Sequence, residues 1–131
     1  YHRNKLINEL KKLSLDCDYS IFSYHWGYEA ENEPSGNLVE LSKLIQHCGV
    51  TILYGHHSHI AQPAKISTDH KFISLFSSGN LNLNMHRSLY KNTSLFSIEI
   101  DTTTKEIISL HTKHFIPDDK NLIFFKEVIF Y

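Results

Sequence analysis

Residues 19–54 read YSIFSYHWGYEAENEPSGNLVELSKLIQHCGVTILY. Tyr19 to Tyr24 is short and aromatic, which suits a strand ending at His25. Trp26 to Gly36 is polar, acidic and carries Pro34, so it reads as a loop. Asn37 followed three residues later by Glu40 has the form of a capping box and predicts the start of a helix. Leu38, Leu41, Leu44, Ile45 and Cys48 recur at helical spacing, and Gly49 stands where a C′ glycine belongs. Val50 to Tyr54 is a continuous apolar run, as expected of a strand covered on both faces. Strand, helix and strand make a βαβ unit, whose two strands run parallel through a right-handed crossover.

The pattern changes on either side of this unit. Upstream, Leu6, Ile7, Leu10 and Leu13 lie on one face of a helix over residues 2–14. Downstream, Ala64 to Ser67, Lys71 to Ser77, Ser94 to Asp101 and Glu106 to Phe115 are strand-like. They are separated by turn-rich pieces such as Ser67-Thr-Asp-His70 and Asp101-Thr-Thr-Thr-Lys105, which predicts antiparallel pairing. Leu122 to Tyr131 is a last apolar segment of unassigned type. The fold class is therefore α/β, a parallel βαβ unit followed by antiparallel strands. Neither a repeat nor a linker divides the 131 residues, so one domain is expected.

Composition excludes some functions. Thirteen Lys and Arg against 14 Asp and Glu give a formal net charge of −1. The lysines are scattered, Lys11-Lys12 being their one cluster, so nucleic acid is not an expected partner. Cys17 and Cys48 have neither CxxC spacing nor a disulfide framework, and are expected to be free, partly buried thiols. No apolar run approaches the roughly 20 residues that a membrane helix needs.

Ten histidines are many for this length. Three of them, His56, His57 and His59, stand together just after Val50 to Tyr54. In a parallel sheet, ligands bind beyond the carboxyl ends of the strands, and here those ends carry His25 on one side and the histidine cluster on the other. A single histidine at a strand end is usually a hydrogen-bonded surface residue. Two such ends joined by one crossover favour a metal, because neighbouring strands lie about 5 Å apart and neutral imidazole suits zinc, iron or manganese. Gly55 fits such a junction, where a sharp turn and a close backbone approach are needed.

The stretch from Ile21 to Asn80 resembles the CapA-type proteins of bacterial capsule and poly-γ-glutamate synthesis, a branch of the calcineurin-like metallophosphoesterase superfamily. The resemblance rests on His25-Trp26-Gly27-Tyr28-Glu29, Pro34, Gly49, Gly55-His56-His57-Ser58-His59, Gln62-Pro63 and Ser77-Ser78-Gly79-Asn80. Ser58 replaces the proline of the family's GHHPH, and SSGNL replaces SLGNF. The resemblance implies that the chain is part of an αββα sandwich. It implies His25 as the lone metal-binding histidine, with His57 and His59 as the histidine pair of the same site. His56, Glu29 and Asn80 would lie in the second shell or face the substrate.

The superfamily draws its carboxylate ligands, including one that bridges two divalent ions, from a region upstream of Tyr1. The chain is therefore expected to be a single, N-terminally incomplete domain over 1–131 that holds the histidine half of a two-metal site. By this resemblance the complete protein would be a metal-dependent hydrolase in capsule or poly-γ-glutamate synthesis, inactive as this chain alone. Its substrate would be a polyanionic capsule polymer or a phosphoester, and its place extracytoplasmic and membrane-anchored. The alternative is a non-catalytic component of a capsule polymer synthesis or export complex.

Overall fold

The computed structural model describes residues 2–80, 93–117 and 122–130, with the backbone alone described over 115–117 and 122–130. Helix α1 (His2–Asp16) precedes strand β1 (Ile21–His25), helix α2 (Gly36–His47) and strand β2 (Ile52–His56). Strands β3 (Ala64–Ile66), β4 (Ile73–Leu75), β5 (Thr93–Ile100), β6 (Ile107–Pro117) and β7 (Leu122–Phe130) follow. They form a four-stranded sheet of order β1-β2-β4-β3 and a three-stranded sheet of order β5-β6-β7.

The βαβ reading holds: β1 and β2 are parallel, with Ile21 opposite Ile52 and His25 opposite His56. The turn Ser67–His70 does join β3 and β4 antiparallel, but β4 also lies parallel to β2. The antiparallel pairing expected after the histidines therefore holds for β3 and β4, and the parallel pairing of β4 with β2 is added to it. Ile73, Ser74 and Leu75 are all buried, because β4 is central and covered on both faces. β5, β6 and β7 pair antiparallel throughout, which assigns the last apolar segment to a strand.

Two cores lie on opposite faces of the first sheet. On one face, Leu10 of α1 and Ile45 of α2 pack with Leu53, Phe72, Phe76, Trp26, Cys48 and Val50. On the other, Ile73 and Leu75 meet Ile107 and Leu110 of the second sheet, with Ile52, Tyr54, Phe96 and Ile98 around them. The described residues therefore stack helices, sheet and sheet in three layers. Alternation along β2 explains this arrangement: Leu53 faces the helices while Ile52 and Tyr54 face the second sheet. Beside β1 the two sheets leave an apolar groove of about 310 Å³, lined by Ile21, Ile52, Tyr54, Leu95 and Phe96.

The start of α2 departs from the sequence reading. Its N-cap is Ser35, not Asn37, and no side chain caps it. The backbone carbonyl of Ser35, in extended geometry after Pro34, accepts from Leu38 N and Val39 N at 3.0 and 3.1 Å. That closes the first turn without the predicted capping box, and Glu40 pairs with Lys43 at 2.7 Å instead. The other end matches: Cys48 is the C-cap and Gly49 takes φ +85°, where an added Cβ would lie 3.1 Å from Ser14 Cβ. Both cysteines are free, Cys48 buried and Cys17 exposed rather than partly buried.

Candidate metal centre

The parallel register brings the carboxyl ends of β1 and β2 to one edge, and Trp26 N extends the pairing by donating to His56 O at 3.0 Å. There His25 Nδ1 lies 3.1 Å from His56 Nδ1. Such a contact needs one nitrogen protonated and the other bare. Ser23, two residues before His25 and on the same strand face, places Oγ 3.3 Å from His56 Nε2. Burial, then the neighbouring His25 and His57, hold the His56 pKa below its usual value. Both causes favour the neutral form of His56, the state in which an imidazole ligates.

Beyond β2 the chain turns sharply. His57 and His59 take φ of 118° and 62°, a region non-glycine residues seldom occupy. Ser58, buried between them, donates its hydroxyl to Ile60 O at 2.8 Å and closes the turn. The His57 ring comes within 4.4 Å of the His25 ring and 6.1 Å of the His59 ring, between centroids. The acidic loop after β1 folds over this turn. Ala30 N donates to Ser58 O at 2.9 Å, and the buried Gln62 donates Nε2 to Glu31 O at 2.9 Å. Gln62 thereby pins the loop carrying Glu29 against the histidines, a use for the Gln-Pro pair that spacing did not reveal.

These constraints gather Glu29, His57 and His59, whose ligand atoms all lie within 4.8 Å of one another. On the far side of the turn, His59 Nδ1 lies 2.7 Å from Asn80 Oδ1. A carboxamide oxygen accepts, so His59 Nδ1 carries the proton and Nε2 carries the lone pair. His25 stands against His56 and His57 and is not a member of the three-residue cluster. Among the described residues Glu29, expected in the second shell or facing the substrate, lies with His57 and His59 in a group whose atoms could hold a metal. Its only sequence signal is its place two residues after Gly27, and no periodicity shows that the loop folds back.

Gly55 has the role of close approach alone. It sits within β2, without positive φ, and an added Cβ would lie 2.2 Å from both Phe76 O and Trp26 Nε1. Trp26 Nε1 donates to Phe76 O at 3.0 Å directly over this glycine. The indole is therefore buried beneath the histidine edge, and fixes the end of β1 to the end of β4 across β2.

The family model described as bacterial capsule synthesis protein PGA_cap matches residues 1–85. The chain belongs to this family. The PGA biosynthesis protein CapA of Bacillus subtilis (strain 168) is 31% identical over 61 residues, 47% of this chain and 15% of that protein. The capsule biosynthesis protein CapA of Bacillus anthracis is 36% identical over 47 residues, 36% of this chain and 11% of that protein. The chain thus matches a small part of the length of these PGA_cap relatives.

The donor set fits a divalent ion. Two imidazoles and one carboxylate suit zinc, manganese or iron, and leave coordination positions for water or substrate. Ligand atoms on one ion stand roughly 3–4 Å apart when bonds are about 2.0–2.2 Å. A limit of 4.8 Å across the cluster asks for a small closure.

Proposed function

We propose that this chain supplies the histidine half of a divalent-metal hydrolase centre in the synthesis of a bacterial capsule polymer. The observation that supports this most is the cluster of Glu29, His57 and His59, together with its place at the carboxyl edge of a parallel sheet. The three side chains would hold one ion, and His25, whose ring lies 4.4 Å from that of His57, would be a ligand to a second, as in a two-metal αββα phosphoesterase. A bound divalent ion acidifies water and polarises a phosphoryl or acyl oxygen.

The residues of this chain do the positioning. Asn80 holds His59 with Nε2 as the ligating atom, Gln62 and the Ala30–Ser58 contact hold Glu29 over the turn, and Gly55 lets Trp26 brace the edge from below. The substrate is a phosphoester, or an amide or ester within the polyanionic capsule polymer, handled by the longer protein in an extracytoplasmic, membrane-anchored setting. Among the described residues no helix is long and apolar enough to cross a membrane.

The test is the metal content of the purified chain by plasma mass spectrometry, beside a His57→Ala/His59→Ala double variant and Glu29→Gln. About one ion per chain is expected in the parent, little in the double variant and an intermediate amount in Glu29→Gln. A parent without metal would sink the metal centre. Metal with no hydrolysis of phosphoester or capsule polymer by the longer protein would favour the alternative, a non-catalytic part of a polymer synthesis or export complex.

A further inference from the structure

Asn80 is 6% exposed, and its two polar ends differ in state. Oδ1 accepts from His59, while Nδ2 is buried without a hydrogen-bond partner among the described residues. Leaving a buried amide N–H unmade is costly, so such a group calls for an explanation. The backbone around it is firmly placed. Gly79 forms a bridge with Thr93, Gly79 N donates to Ser77 Oγ at 3.2 Å, and Ser78 O accepts from Ser94 N at 2.8 Å. Asn80 is therefore held where the two sheets meet, with its carboxamide against the metal cluster.

We infer that Asn80 has two tasks in the centre: its Oδ1 fixes His59 as an Nε2 ligand, and its Nδ2–H donates to an anionic oxygen bound beside the metal. This rests on the metal reading above and adds the ligand class, an oxyanion such as a phosphoryl or carboxylate group. A carboxamide suits both tasks because it carries an acceptor and a donor on one rigid plane. A carboxylate in its place would keep the first task and lose the second. Asn80 is a positioning residue for His59, and would touch the substrate only through Nδ2.

Asn80→Asp and Asn80→Ala separate the two roles. Three readouts apply to each chain: the His59 tautomer by nitrogen-15 NMR of the metal-free protein, zinc affinity, and binding of inorganic phosphate to the zinc-loaded protein. Asn80→Asp should keep the Nδ1–H tautomer and hold zinc within about 3-fold of the parent, yet bind phosphate at least tenfold more weakly. Asn80→Ala should lose the tautomer preference and about 10- to 100-fold in zinc affinity, the usual effect of removing a ligand's outer partner. Parent-like phosphate binding in Asn80→Asp overturns the donor role. An unchanged His59 tautomer in Asn80→Ala overturns the positioning role. A parent that takes up no zinc overturns the donor role together with the metal reading, and the tautomer then decides the positioning role by itself.

Discussion

At Gly55 the arrangement has no room to give. An added Cβ meets a backbone carbonyl and an indole nitrogen, each at 2.2 Å, and the carbonyl belongs to a strand end that cannot swing aside. Gly55→Ala should therefore cost about 2–4 kcal/mol, read from the urea midpoint, and should also loosen the histidine edge. His56 carries a different expectation, in pH. Its folded pKa lies below the unfolded one near 6.5, so the unfolded chain takes the proton first. Stability from this group is full above about pH 6.5 and is lost as pH falls through the folded pKa. Urea midpoints at pH 8, 6.5 and 5 should fall in that order, and less steeply in His56→Gln; equal slopes would rule His56 out as the source. Glu29 shows the limit of residue-by-residue reading, because its part in the cluster depends on a loop folding back through Ala30 and Gln62.

Between elements, Trp26 is the joint that matters most to the site. It begins where β1 ends, reaches under β2 and hydrogen-bonds the carbonyl just beyond β4. Trp26→Phe would keep most of the apolar contact but leave Phe76 O buried without its donor. A loss of about 1–3 kcal/mol in chemical denaturation is expected, and a loss below about 0.5 would show that the bond is dispensable. The pairing of β1 with β2 was legible because a helical period between two apolar runs admits few topologies. The parallel place of β4 was not, since three residues carry no period and the visible turn before them speaks only for β3. Ser35 likewise displaced Asn37 as N-cap, because the carbonyl after Pro34 was already aligned to accept the first bonds of the helix.

Over the whole molecule, the first sheet is wedged between two cores, and this predicts a sharp contrast in sensitivity. Leu53 is 0% exposed on the helix side and Leu110 is 1% exposed between the sheets, whereas Ile21 at the edge is 65% exposed. Leu53→Ala and Leu110→Ala should each cost about 2–5 kcal/mol. Ile21→Ala should cost less than about 1 kcal/mol, most of its surface already being in water. Because Leu53 and Leu110 sit in separate clusters, the double variant should be additive within about 0.5 kcal/mol by urea denaturation. A large coupling would mean that the central sheet transmits strain between its faces. The sequence by itself determined the helices, the parallel unit and the crowding of imidazoles at strand ends, since these follow from local period and from chain direction. It did not determine which of those side chains come close enough to hold an ion together. That was decided by tertiary structure, through left-handed turns at His57 and His59, the fold-back of the Glu29 loop and the carboxamide of Asn80. Those contacts join residues 21 to 31 positions apart, and no local pattern of polarity encodes a distance across space.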